Sequence, residues 1–297
     1  MVKLRKRVIA GITRYYLEHS VRIKGNVEKR ERYLGAEIPK DIDRLEREFL
    51  EEILKERWFD NFDKMKKGYA QQKRIEPPSA RKRSAEAFAV RFTYNTNRIE
   101  GSTLTLRETS LLLEKGIAPN AKLMEDVREA EAHKNAFYEM LECKRDLSLE
   151  LILYFHRQLF KDTKRDIAGK IRRHQVEISG SRFKPPLAVE LDPLLREFFG
   201  WYNGNKEKLH PVELAALVHL KLVTIHPFAD GNGRLSRLLM NFILNRHGFP
   251  MLDIAYDKRA GYYHALERAQ LKRDEMIFVK WTCRRYEKEN EGYLHGI

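Results

Sequence analysis

A histidine, a carboxylate and two arginines share one short run of this chain, His226-Pro-Phe-Ala-Asp230-Gly-Asn-Gly-Arg234-Leu-Ser-Arg237. Each type has work it can do beside a phosphorylated ligand. Glycines let successive backbone N–H groups converge on an anion, with no Cβ in the way. A helix starting here adds free N–H groups and the positive end of its dipole. Gly231-Asn232-Gly233 therefore reads as a phosphate cradle. Arg234 and Arg237, three apart on that helix, reach the same anion, and the guanidinium fork suits phosphate oxygens. Asp230 is misplaced beside a polyphosphate unless a cation lies between, and Mg²⁺ is held in that way by one or two carboxylates plus ligand phosphates. His226, with an unperturbed pKa near ~6.5, can accept a hydroxyl proton at neutral pH. Together these residues would bind a nucleotide with Mg²⁺ and activate an incoming hydroxyl. An isolated Gly-Asn-Gly is usually a turn. Eight named positions at roughly 5% frequency each coincide by chance with odds on the order of 10⁻¹⁰ per window.

Helices must place these groups. "HPVELAALVHLKLVTI", 210–225, is apolar on almost every face and predicts a central buried helix ahead of the motif. A second helix is expected from Arg234 to His247, stopped by Gly248 and Pro250. "AKLMEDVREAEAHKNAFYEMLE" and "SLELILYFHRQLF" predict two more. Thr105 and Glu108 form a capping box, with Gly116 as the stop. Ser79 or Ser84 is expected to cap a helix carrying Ala85, Phe88, Ala89 and Phe92. Residues 169–186, "GKIRRHQVEISGSRFKPP", read as a short β-hairpin between helices. Earlier, residues 14–34 alternate around Lys24-Gly25-Asn26 and predict another hairpin. From Pro39 to about Lys67, Ile42, Leu45, Phe49, Ile53, Trp58 and Phe62 recur at helical spacing. The expected architecture is mostly α: a helical bundle with one small hairpin, preceded by a small N-terminal hairpin and long helix. The boundaries expected are 1–76 for the basic hairpin and helix, 77–116 for a linker opening at Pro77-Pro78 and the next helical region, 117–290 for the core and 291–297 for a tail.

Bulk properties narrow the class. Of the 297 residues, 42% are apolar, ample for a packed core, and the net charge is +14. Residues 1–84 hold 23 Lys and Arg against 14 Asp and Glu. That favours anionic partners in general without choosing among them. Cys143 and Cys283 stand far apart, which argues against a disulfide framework and suits a reducing cytosol. No apolar run approaches the roughly 20 residues of a membrane helix. The start "MVKLRKRVIAGITRYY" has too short an apolar stretch for a signal peptide. The expected location is cytoplasmic.

The motif resembles the signature of the Fic (Fido) family, the "filamentation induced by cAMP" domain. The resemblance covers about residues 84–285 and includes "LILYFHRQLF", "GKIRRHQVEI" and "GYYHALERA" at 261–269. It implies a protein adenylyltransferase that moves AMP from ATP to a Ser, Thr or Tyr hydroxyl of a protein, this chain itself among the candidate targets, and releases pyrophosphate. His226 would be the base and Asp230 the Mg²⁺ ligand. Gly231, Asn232, Gly233 and Arg234 would cradle the α and β phosphates, and Arg237 would meet the γ-phosphate. Tyr262 and Tyr263 match a pair near adenine and ribose. Gln270 stands where some relatives have asparagine. Val176, Ile178, Ser179 and Gly180 match the flap that holds the target backbone by strand addition. "TNRIEG", 96–101, is similar to the family's inhibitory motif, with Glu100, flanked by Thr96 and Gly101, pairing with Arg237. In some relatives this glutamate also helps remove AMP.

Other readings stay open on the residues alone. A Fic fold can use another donor such as UMP. A non-enzymatic nucleotide sensor with a basic, nucleic-acid-binding N-terminus is a further class, although "RKR" at 81–83 and "KMKK" at 64–67 read more simply as solvated helix surface. His219 and His156 read as hydrogen-bonded core histidines rather than metal ligands. Trp58, Phe59 and Phe62 either form a docking patch for a partner or pack the N-terminal helix onto the main bundle.

Overall fold

Alternating side chains at the start of the chain build strands. In the computed structural model, which describes residues 2–23 and 26–294, β1 (Lys3–Ile9), β2 (Ile12–Ile23) and β3 (Asn26–Gly35) form an antiparallel sheet in that order. Ala10 and Gly11, both at positive φ (51° and 78°), make the tight turn into β2. The hairpin expected at 14–34 is thus the second half of a three-strand meander; Lys24 and Gly25 of its turn lie outside the described residues. β1 escaped the sequence reading because Lys and Arg crowd it and most of its side chains are exposed. Leu17 and Val21 of β2 pack with Phe49 and Ile53 of the following helix, α1 (Ile42–Leu54), in a small core.

The helical pattern runs further than Lys67. After α1 comes a π-helical turn, Lys55–Phe59, and then α2, Asp60–Ile75. A π turn inserts a residue and rotates the face that follows. Trp58, Phe59 and Phe62 are all buried, so they do not form an exposed docking patch. The chain separates into two compact units, Met1–Lys64 and Met65–Ile297, with the division inside α2.

The second unit is helical. In α3 (Pro78–Ile99), Pro77 is the N-cap and Pro78 the first helical residue, where a missing N–H costs nothing. Neither Ser79 nor Ser84 caps it. α4 (Leu106–Lys115) has the expected capping box and ends at left-handed Gly116. α5 (Met124–Glu142), α6 (Leu149–Phe160, capped by Ser148) and α7 (Leu191–Asn205) follow. α8 (Pro211–Ile225) and α9 (Asn232–Arg246) form the centre and are buried almost all round. α10 (Arg259–Lys272) and α11 (Glu275–Asn290) complete the bundle, and a 3₁₀ turn covers Glu291–Leu294. Among the described residues, no helix is long and apolar enough to cross a membrane.

Residues 169–186 do not form the expected β-hairpin. Extended backbone reverses near Gly180 (φ 74°), where Ser181 N–H donates to Ile178 O at 3.1 Å, but no ladder joins the arms. Pro185 and Pro186 lack the N–H groups a ladder needs. Side chains bridge the arms instead: Gln175 Nε2 donates to Pro185 O at 3.1 Å. Glu267 of α10 accepts from Arg182 N–H at 2.7 Å. This segment is called the flap below.

Candidate active site

The buried helix α8 ends where His226 turns left-handed, φ 53° and ψ 55°. The loop then reverses through Gly231, also left-handed at φ 80°, into α9. A Cβ at Gly231 would come within 2.2 Å of the Phe160 ring, so glycine is required by both backbone and packing. Asn232 staples the loop: its amide accepts from Phe228 N–H at 2.9 Å and donates to Phe228 O at 2.8 Å. The first intrahelical backbone bond runs from Leu235 N–H to Gly231 O, so the N–H groups of Asn232, Gly233 and Arg234 begin α9 without backbone acceptors in the helix.

His226 Nδ1 lies 3.1 Å from Val223 O. A carbonyl only accepts, so Nδ1 carries the proton and Nε2 is left with its lone pair. Burial, helped by the nearby charge of Arg172, pulls the His226 pKa below the ordinary imidazole value; Val223 O, Glu100 and Asp230 oppose this less strongly. The ring is therefore neutral at pH 7.

Arg237 is 1% exposed and fully engaged. It donates from Nη2 to Glu100 Oε1 at 2.6 Å and to Thr96 O at 3.1 Å, from Nε to Thr96 Oγ1 at 3.2 Å, and from Nη1 to Tyr262 OH at 3.3 Å. Glu100 is the C-cap of α3, and Gly101 after it takes φ 105°. A Cβ on Gly233 would lie 2.3 Å from Glu100 Oε1 and 3.1 Å from Arg237 Nη1. The Glu100 carboxylate therefore lies directly over the glycine loop, where an anion would sit.

Arg234 pairs with Glu129 of α5 and, at 3.1 Å, with Asp230. Asp230 also accepts from Lys164 Nζ at 2.7 Å. Although burial opposes its ionisation, Arg234, Lys164 and the Gly231 N–H hold the Asp230 carboxyl down at about 2. Arg234, Arg237 and Lys164 face Asp230, Glu100 and Glu129, and Lys164 also meets Glu125 at 3.0 Å, so the three cations are matched by four acids. Among the described residues, no group of three or more His, Cys, Asp or Glu could hold a metal unaided. One ionised carboxylate beside a phosphate cradle fits Mg²⁺, whose remaining positions belong to ligand phosphates and water.

Four residues the sequence reading missed, or treated as bland, hold this arrangement. Glu129 and Lys164 complete the charge cluster. His156 bridges: its Nδ1 accepts Gly169 N–H at 2.9 Å, so Nε2–H donates to Asp230 O at 3.0 Å, with the ring stacked on Phe228. It is a hydrogen-bonded core histidine as expected, and burial takes its pKa down to about 4. Buried Arg172 donates to His226 O. No local pattern marks these partners, because only the packing of α5, α6 and the flap base brings them in. His219 is a core histidine, its Nε2 3.0 Å from Tyr262 OH. Tyr262 is buried behind Arg237, whereas Tyr263 is half-exposed and donates to Ile99 O at 2.9 Å. Gln270 donates to Thr224 Oγ1 at 3.1 Å. Val176 and Ile178 are half-buried on the flap, and Ser179 and Gly180 are exposed at its tip, outside the hydrogen-bonded cluster.

Residues 146–244, which carry this loop and both flanking helices, match the Fic/DOC family model. That stretch is a Fic/DOC domain. It is 37% identical over 226 residues to the protein adenylyltransferase Fic of Drosophila virilis, covering 74% of this chain and 45% of that protein. The Drosophila melanogaster protein of the same name gives the same figures. The chain thus spans less than half the length of these curated relatives. Among solved structures, a Fic domain containing signaling protein from Bacteroides thetaiotaomicron superposes with a TM-score of 0.69 at 29% identity, covering 78% of this chain and 96% of the other. Fic-1 (aa134–508) from C. elegans gives 0.70 at 28% identity, covering 86% and 77%. The mostly helical Fic fold expected from the sequence is the one observed.

Proposed function

We propose that this chain is an autoinhibited protein adenylyltransferase that moves AMP from ATP to a Ser, Thr or Tyr hydroxyl. The observation that carries the reading is the His226 tautomer: Nδ1–H donates to Val223 O, which leaves a basic Nε2 on the residue that opens the loop into the α9 N-terminus. Nε2 takes the hydroxyl proton as the target oxygen bonds to the α-phosphorus. The bond from that phosphorus to the bridging oxygen of the β-phosphate breaks, and pyrophosphate leaves. The N–H groups of Asn232, Gly233 and Arg234 hold the phosphates, with Arg237 at the γ-phosphate. Asp230 would hold Mg²⁺, which when bound offsets charge on the phosphate oxygens. Tyr262 supports this site through Arg237, and Tyr263 lies at its edge.

Glu100 is the brake in this reading. Its carboxylate holds the guanidinium that the γ-phosphate needs and repels that phosphate. The two free cysteines, Cys143 and Cys283, agree with a cytosolic location. The test is intact mass after incubation of Glu100→Gly with ATP and Mg²⁺. A gain of one adenylyl unit, abolished by adding His226→Ala, is the expected result. No gain with ATP, or a gain only with UTP, would refute the donor assignment.

A further inference from the structure

We propose that Arg172 is a positioning residue that ties the backbone of His226 to both arms of the flap, so that flap and base shift together. This deepens the reading of His226 as the base and rests on it.

Arg172 is 4% exposed, and among the described residues it has no carboxylate partner. That sets it apart from Arg234 and Arg237, which meet acids. A buried guanidinium is costly unless its donors are satisfied. Here carbonyls satisfy them. Nε donates to His226 O at 2.8 Å, Nη1 to His174 O at 2.9 Å and Nη2 to Pro186 O at 2.7 Å. The Arg172 N–H adds a fourth bond, to Pro227 O at 3.0 Å. The fork therefore reaches three pieces of chain: the catalytic loop, the first flap arm and the last residue of the second arm.

Two features make the link consequential. The flap has no ladder of its own, so these bonds and the Gln175–Pro185 contact replace strand pairing between its arms. His226 holds a left-handed backbone without being glycine, a conformation that persists only when its surroundings enforce it. Arg172 grips the carbonyl of that very residue. A target segment laid along the flap thus presses, through one planar side chain, on the peptide that aims the imidazole. The Arg172 charge also disfavours protonation of His226, whereas Glu100 and Asp230 favour it. Lysine offers a point charge and cannot span three carbonyls.

The experiment compares Glu100→Gly alone with Glu100→Gly carrying Arg172→Lys or Arg172→Gln. Amide hydrogen exchange is read by mass spectrometry over 173–187 and 224–231, beside ATP–Mg²⁺ affinity and the rate of self-modification at saturating ATP. Faster exchange in both segments together is expected, with ATP affinity unchanged and a rate loss of about 10²-fold, the size expected from a misplaced base. Lysine should not rescue the rate. Unchanged exchange, loosening confined to one segment, or full rescue by lysine would overturn the proposal. If the glutamine variant does not fold, the lysine variant gives the same decision. If Glu100→Gly with Arg172 intact transfers no AMP, the functional reading fails, while the exchange data still decide the coupling.

Discussion

At the scale of single residues, the site is a matter of which proton and which charge sit where. His226 is neutral because burial disfavours its charged form. Adenylyl transfer by Glu100→Gly should therefore hold its rate as pH falls past ~6.5, the ordinary imidazole value, and decline only at lower pH, when Nε2 protonates. A pH–rate profile checks this; a decline already centred above 6.5 would contradict it. Glu129 is a second case. Removing it as Glu129→Ala leaves Arg234, 4% exposed, with the single carboxylate of Asp230. Stripping one acid from a buried pair should cost on the order of 3 kcal/mol, read by urea unfolding. The motif residues were legible from the sequence because each advertises its chemistry and all lie close together in the chain. Glu129, Lys164, His156 and Arg172 were not: each is ordinary in type, and its meaning comes from neighbours far along the chain.

At the scale of elements, local rules succeeded wherever they were decided locally. The Thr105–Glu108 box and the Gly116 stop could be read because capping depends on a few consecutive residues. Thr105→Ala should cost about 1 kcal/mol, measured by thermal unfolding. The flap misled for a related reason. Val176 and Ile178 have strand-forming side chains, but the proline pair and the Arg172 fork decide how the arms are held. β1 and the π turn were invisible because charge crowding masks alternation in one and a single inserted residue breaks helical spacing in the other. Gly231→Ala tests how tightly the loop is fitted. Its Cβ would strike the Phe160 ring at 2.2 Å in a backbone region unfavourable to alanine. A loss of about 1–3 kcal/mol is expected, partly recovered by trimming Phe160 to leucine; additive losses would mean that the ring is not the obstacle.

At the scale of the whole molecule, the second unit buries several histidines in neutral form. Burial takes His133 and His219 down to about 3 and His156 to about 4. In the unfolded chain they titrate near ~6.5. Below that pH the unfolded state binds more protons, so stability falls as pH drops, by on the order of 2 kcal/mol for each histidine between pH 7 and 5. Asp230, depressed to about 2, adds to the loss at still lower pH, whereas Asp253, raised by burial, works the other way. Urea midpoints at pH 7 and 5 measure the sum; equal midpoints would contradict the neutral burial. The basic N-terminal unit is less exposed as bare charge than its composition implies. Arg7, Lys29 and Arg30 pair with Glu18, Glu28, Glu31 and Glu56, although exposed pairs of this kind contribute little stability.

The three cations around the glycine loop already meet four acids of the chain, which makes the resting pocket an ion exchanger loaded with its own counter-ion. On the proposed function, a nucleotide does not fill a vacancy there but swaps places with a tethered carboxylate. Because Arg237 is sealed from solvent, dissolved salt has little purchase on that swap. On the proposed function, raising ionic strength should leave transfer by the unaltered chain low, because release then depends on moving the Glu100 carboxylate off Arg237.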